Sequence, residues 1–187
     1  MEELEFLKAE NQRLSQELNK KLFELSIWQD ITNKIDYSFN YNDLLDSLMD
    51  SLHKIIDYDF CASLFILEED KKAKMIIRIA RPVPRCAVEA LKLKVISALS
   101  ALRGSVIQPR DIEYEIKGDI IEEEGAQKCA IQSSFDVPLF VQDAAVGALS
   151  VASIKNISYS DDDTRLFYTL VSQVSSTIEK LQIVLAG

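Results

Sequence analysis

The sequence lacks a long hydrophobic run, a surplus of basic residues and a basic leader. No apolar run approaches the roughly 20 residues that a membrane-spanning helix needs. The N-terminus, MEELEFLKAENQ, is acidic, whereas a secretion signal would be basic and then apolar. The net charge of −9 and the pI near 4.7 disfavour binding to phosphate backbones or anionic lipids. We therefore expect neither a membrane nor a nucleic acid as a partner.

Cysteine and histidine are scarce. Cys61, Cys86 and Cys129 lie far apart in the chain, and His53 is the single histidine. Because zinc and iron–sulfur sites need clustered thiolates or imidazoles, we predict no metal site and no cofactor. We expect the cysteines to be free thiols in a reducing cytoplasm, packed as small hydrophobic side chains. His53 lies at the flank of a predicted helix and is expected at the surface.

The first 35 residues contain no glycine or proline and predict one continuous helix, some 50 Å long at about 1.5 Å per residue. A three-four spacing links Leu4, Leu7, Asn11, Leu14 and Leu18. In this heptad register Asn11 occupies an a position, where asparagine favours a parallel, in-register dimer. We therefore predict that these five residues mediate homodimerisation. The alternative is an amphipathic helix that folds back on its own domain.

Alternating helical and strand patterns follow. NYNDLLDSLMDSLHKIIDY and CAVEALKLKVISALSALRG predict helices, while DFCASLFILEED and KAKMIIRIARP predict strands. The first of these strands is apolar on both faces, so both faces of its sheet must be covered. IEYEIKGDII also has strand character, but its acidic residues make an interior position doubtful. SSFDVPLFVQD and AAVGALSVASI predict a hairpin whose small residues leave room for a helix or a ligand.

The last segment predicts a capped helix with an apolar seam. Ser160 and Asp163 have the spacing of a capping box. Apolar residues then recur at three-four spacing, and we assign Val174, Ile178 and Leu181 to dimerisation as well. The element order predicts an α+β fold, with a mainly antiparallel sheet and helices between two long terminal helices of coiled-coil type.

Several motifs in the C-terminal half resemble the GAF family. They are Val137-Pro138-Leu139, Val146-Gly147-Ala148-Leu149, Tyr159-Ser160 with Asp163, and Leu166, Leu170, Gln173 and Ile178-Glu179. The match covers residues 135–181, whereas residues 42–81 agree in pattern only. The resemblance implies a signalling helix at 1–35, a GAF domain at 36–170 and a helix at 171–187 that continues towards an output domain.

The resemblance also implies a function. GAF domains of this kind act as cytoplasmic sensory inputs of histidine kinases or diguanylate cyclases, and have no catalysis of their own. We place the small-molecule pocket near Cys61, Arg78, Arg81, Arg85 and Cys129. The many basic residues between positions 81 and 110 would suit a small anionic ligand. Alternatively, they pair with the acidic segment that follows.

Two other functions remain open. One is a ligand-free dimerisation scaffold, with the pocket filled by Phe60, Phe65, Phe135 and Phe140. The other is a GAF-type methionine sulfoxide reductase, since Cys86 and Cys129 could lie near the pocket. A bilin photoreceptor is disfavoured because no cysteine here is followed by histidine.

Overall fold

The structure, a computed structural model, describes residues 2–37, 41–53, 55–67, 72–122 and 130–185. The chain forms two compact units, Met1–Ser38 and Phe39–Gly187. Helix α1 (Glu2–Tyr37) makes up the first unit, as the uninterrupted helical pattern predicts. Within the described ranges, no helix has both the length and the apolar character needed to cross a bilayer.

The second unit is built on a five-stranded sheet. Its elements are α2 (Tyr41–Leu52), β1 (Phe60–Leu67), β2 (Lys72–Ile79), β3 (Val83–Pro84), α3 (Arg85–Arg103), β4 (Ile112–Lys117), β5 (Ile120–Ile121), β6 (Ser133–Val141), β7 (Ala144–Ser153) and α4 (Asp161–Leu185). The strand order is β4-β2-β1-β7-β6, and only the β2–β4 pair is parallel within it. Strands β3 and β5 form a separate parallel pair. The predicted α+β fold with a mainly antiparallel sheet is confirmed.

Helix α3 covers one face of the sheet. Its stripe of Val88, Leu91, Val95 and Leu99 is fully buried against the alternate residues of β1 and β2 that point to the same side. Gly104 ends the helix with a φ of 64°, a left-handed conformation that glycine adopts without strain. Because α2 and α4 pack against the other face, β1 is buried on both sides, as its composition predicts.

Helix α4 begins at the predicted capping box. The Asp163 backbone N–H donates to Ser160 Oγ (3.1 Å), and the Ser160 N–H donates to Asp163 Oδ2 (2.9 Å). Its apolar stripe is a core stripe, however, because Val174 and Ile178 are completely buried beside β6 in the same chain. Their role in dimerisation stays a prediction, and their burial within this chain argues against it. The Leu181 side chain lies outside the described part of the structure.

The β6–β7 hairpin turns through two residues in left-handed conformation. Gln142 has a φ of 48° and Asp143 a φ of 63°, which is the geometry of a tight hairpin turn. The Gln142 N–H donates to Glu179 Oε1 (2.8 Å), so the turn is fixed to α4. At Gly147 a Cβ atom would lie 2.6 Å from the Leu64 carbonyl oxygen, which explains the glycine at that position of β7.

Candidate ligand-binding site

The α3 face, where the small residues of β7 leave room, is occupied by the helix itself. Ala145, Ala148 and Ala152 belong to the same buried cluster as the apolar stripe of α3. Of the four phenylalanines predicted to fill a pocket, only Phe60 is in this cluster. Phe135 packs edge-to-face with Phe167 and Tyr159, and Phe140 is 46% exposed. The small residues therefore serve close helix packing.

The arginines predicted to bind a ligand each have a carboxylate partner. Arg81 pairs with Asp57 and with Asp59, the latter at 3.0 Å. Arg85, in the first turn of α3, pairs with Glu122, which belongs to the acidic segment. These contacts favour the interpretation in which the basic residues form ion pairs with acidic neighbours and do not bind an anionic ligand.

The cysteines lie in different environments. Cys61 is a fully buried free thiol in β1, and this burial raises its pKa to about 12. Cys86, exposed in the first turn of α3, is bonded in a disulfide, so the expectation of three free thiols is wrong for this residue. Cys129 lies outside the described residues.

A cleft opens on the opposite face of the sheet, at the C-terminal end of α2. It has a volume of about 250 Å³ and is lined by Met49, Asp50, His53, Tyr58, Arg78, Ile79, Ala80, Lys117 and Gly118. We call it the α2-end cleft. Of the described residues that were predicted for the ligand site, only Arg78 lines the cleft. Cys61 is the register partner of Arg78 on β1, while Arg81 and Arg85 lie elsewhere.

Charged side chains converge beside this cleft because β2 and β4 are parallel neighbours. Arg78 and Lys117 are register partners, so their side chains emerge on the same face. Asp46 of α2 accepts from both: Arg78 Nη2 lies 2.9 Å from Asp46 Oδ2, and Lys117 also donates to that oxygen. Arg78 reaches Asp50 more weakly, at 3.3 Å. The contacts fix α2 to the edge of the sheet.

The same network shifts the pKa values of Glu115 and Lys117. Hydrogen bonds from Lys117 and Lys74, the latter at 2.8 Å, hold the pKa of Glu115 at about 2. Hydrogen bonding to Asp46 and Glu115 raises the pKa of Lys117. Burial raises the pKa of Tyr58, whose hydroxyl donates to the Met49 carbonyl oxygen at 3.0 Å. The lining of the cleft thus includes basic side chains, Arg78 and Lys117, and an acidic one, Asp50.

Sequence reasoning missed Lys117, Asp46 and Asp50 as members of this site. A weak signal existed, because Asp46 and Asp50 are four residues apart and therefore share one face of α2. His53 is exposed, as predicted, and lines the cleft. Among the side chains that the structure describes, no group of three or more histidine, cysteine or carboxylate residues could hold a metal ion.

Comparison with known proteins identifies the fold. Solved structures that are similar to this chain include the GAF domain of an Acinetobacter phosphoenolpyruvate-protein phosphotransferase, at 16% identity over 86% of this chain and 95% of that chain, with a TM-score of 0.52. The GAF domain of a phosphoenolpyruvate-protein phosphotransferase from Coxiella burnetii is 12% identical over 89% of this chain and 98% of that chain, with a TM-score of 0.53. A phycoerythrobilin-bound GAF domain from a cyanobacterial phytochrome is 17% identical over 87% of this chain and 98% of that chain, with a TM-score of 0.54. No curated protein sequence matches significantly.

The family model for the GAF domain matches residues 40–178, which is most of the chain. This range contains the whole five-stranded sheet and both faces of its core. The chain belongs to the GAF family of sensory domains found in signalling proteins.

Proposed function

We propose that this chain is the dimeric regulatory input of a signal-transduction protein with an output domain such as a histidine kinase or a diguanylate cyclase. In this proposal the segment contributes no catalysis of its own, and two copies associate in parallel through α1. A ligand that binds two packings of the dimer unequally would shift their populations, and the helices would pass that shift to the output domain.

The exposed seam of α1 is the observation that carries the proposal. Leu7, Leu14 and Leu18 are each more than half exposed, although they occupy a and d positions of the same heptad seam. Covering such side chains is favourable by up to about 1.5–3 kcal/mol for each leucine. A second α1 in register would cover all of them at once. By contrast, the α4 stripe is already covered by its own domain.

Asn11 supports a parallel arrangement. It is exposed in α1 and lies between Leu7 and Leu14 in the same seam. In a parallel, in-register pair, the two Asn11 side chains would meet and satisfy each other's hydrogen bonds. An antiparallel or shifted pair would bury each asparagine among leucines without that partner. Asn11 therefore selects both the direction and the register.

A ligand-free dimerisation scaffold is the second candidate, and the filled α3 face favours it. Phe60, Leu64 and Met75 of the sheet are completely buried beneath the α3 stripe. In this version the domain would set the spacing and rotation of the signalling helices without sensing a metabolite at that face. Both candidates require the same α1 dimer.

The proposal places the chain in the cytoplasm, on the ground of its GAF fold. The disulfide at Cys86 argues in the other direction, because disulfides are uncommon in reducing compartments.

The substitution Asn11→Leu tests the parallel seam. Removing a polar a-position residue should strengthen association and change the oligomer number, because the asparagine is what restricts the seam to one register. Light scattering and sedimentation equilibrium on the full chain would measure both. Gln12→Leu is the matched control, since it adds the same side chain at the next, b, position outside the seam. A monomeric wild type that stays monomeric as Asn11→Leu would contradict the proposal.

A further inference from the structure

We propose that the α2-end cleft binds a small dipolar molecule that carries both an ammonium and a carboxylate group, the chemistry of a free amino acid. The inference does not depend on dimerisation or on an output domain. It rests on the shape of the cleft, the charges that line it and the contacts that those charges already make.

The cationic side of the cleft is formed by Arg78 and Lys117. The Arg78 side chain is only 23% exposed, so its guanidinium is partly withdrawn from water, and its attraction for a carboxylate is correspondingly stronger. Its planar donors suit a carboxylate group. Lys117 lies beside it through the parallel register of β2 and β4, and adds a second donor.

The acceptor side is formed by Asp50 and His53 at the end of α2. The Asp50 carboxylate contacts Arg78 only at 3.3 and 3.5 Å, and its side chain is 60% exposed, so it retains capacity to accept further hydrogen bonds. His53 Nδ1 lies 2.8 Å from the Asp50 carbonyl oxygen. Since a carbonyl only accepts, Nδ1 carries the proton, and Nε2 of the neutral ring is an acceptor. Both groups suit an ammonium.

Charge balance favours a dipolar ligand over a simple ion. An anion attracted by Arg78 and Lys117 would be repelled by Asp46 and Asp50, and a cation would meet the opposite difficulty. A zwitterion aligned across the cleft satisfies both sides. The volume of about 250 Å³ is below the range of about 300–1,000 Å³ typical of drug-sized ligands, so the cleft suits a smaller molecule.

Such a ligand would act on α2. The carboxylate of the ligand would compete with Asp50 for Arg78, and its ammonium would bind the Asp50 carboxylate. Binding would therefore change the contact between Asp50 and Arg78, which joins the end of α2 to β2. Asp46 would keep its ion pairs with Arg78 and Lys117. The effect expected is a local change at the end of α2, with the remaining contacts to the sheet edge retained.

Thermal denaturation of the full chain with each of the twenty standard L-amino acids, at about 10 mM and constant ionic strength, tests the proposal. A ligand of the native state raises the melting temperature in a saturable way. At least one amino acid should do so. Its two single-charge analogues, the acid without the amine and the amine without the carboxyl, should bind at least about tenfold more weakly, as propionate and ethylamine would against L-alanine.

Variants of the cleft identify the site. His53→Gln and Lys117→Gln should each weaken binding about tenfold, measured by calorimetry with the amino acid found, and circular dichroism should show that both remain folded. Arg110→Gln, whose side chain is 84% exposed in the turn before β4, is the control that should bind normally. The proposal fails if no amino acid binds, if a single-charge analogue binds as well, or if both variants bind unchanged.

Discussion

Asp59 shows how one buried carboxylate can hold three strand ends together. It immediately precedes β1 and is 1% exposed. Its carboxylate accepts from the Ser153 hydroxyl, from the Ile154 N–H at 3.0 Å and from Arg81 Nη1 at 3.0 Å. Its own carbonyl accepts from the backbone N–H groups of Ala80 and Arg81. The ends of β1, β2 and β7 therefore meet on this residue, and Arg81, predicted as a ligand residue, contacts it.

This arrangement predicts an acid-dependent stability. Burial alone would raise the pKa of Asp59, but hydrogen bonds from Ser153, Arg81 and the Ile154 N–H outweigh it and hold the pKa below its usual value. A lowered pKa contributes stability above the unfolded-state pKa of about 3.9, and this contribution is lost as pH falls through the folded-state value. Asp59→Asn should therefore be less stable than wild type by about 1–3 kcal/mol at pH 7.

Urea unfolding of both proteins at a series of pH values would measure this difference. The gap should shrink as pH falls below about 4, because only the wild type then loses the carboxylate. Asp57→Asn is the control: Asp57 also pairs with Arg81 but is 61% exposed, so its effect should be smaller. A gap that stays constant from pH 7 to the lowest pH reached would contradict the argument.

The sequence shows where charged residues are concentrated, but it does not predict which of them pair with one another. The basic character of the segment around Arg81 and Arg85 is visible in the chain, yet their acidic partners Asp59 and Glu122 lie 22 and 37 positions away. Such pairs form only after the strands adopt their order. The surroundings of Arg78 could not be predicted for the same reason, because Lys117 becomes its neighbour only through the parallel β2–β4 pairing.

At the scale of elements, two helices with the same spacing of apolar residues differ in how far those residues are buried. Three-four spacing marks both α1 and α4, but Leu14 of α1 is 52% exposed while Ile178 of α4 is fully buried. The pattern defines an apolar stripe and cannot specify whether the same chain or another covers it. The capping box of α4 was predictable because its contacts span three residues.

Alanine substitutions separate these two environments. Ile178→Ala should lower the free energy of unfolding by about 2–5 kcal/mol, since it leaves a cavity beside β6. Leu14→Ala should leave the stability of the domain nearly unchanged and weaken self-association instead. Urea denaturation followed by circular dichroism, together with light scattering, measures both effects. If Ile178→Ala kept its full stability and showed impaired association, the argument would be wrong and Ile178 would belong to a dimer interface.

At the scale of the whole molecule, the core is confined to one unit. Every buried residue among those whose burial is described lies between Leu44 and Ile178, and none belongs to α1. The composition and the alternating patterns were enough to predict the α+β class. The boundary between the two units at residue 38 could not be predicted in the same way. It depends on which helices pack into the core, and the spacing of apolar residues does not show this.

Removal of residues 1–38 should therefore leave the domain folded and make it monomeric. The fragment 39–187 keeps all the described core residues, so its free energy of unfolding should stay within about 1 kcal/mol of that of the full chain at low concentration. The full chain should gain stability with concentration, because dimerisation favours the native state by mass action, and the fragment should not. Thermal melts over a hundredfold concentration range, with light scattering, make the comparison. A fragment that remains dimeric would place the interface within the GAF domain, and one that is unfolded would show that α1 belongs to its core.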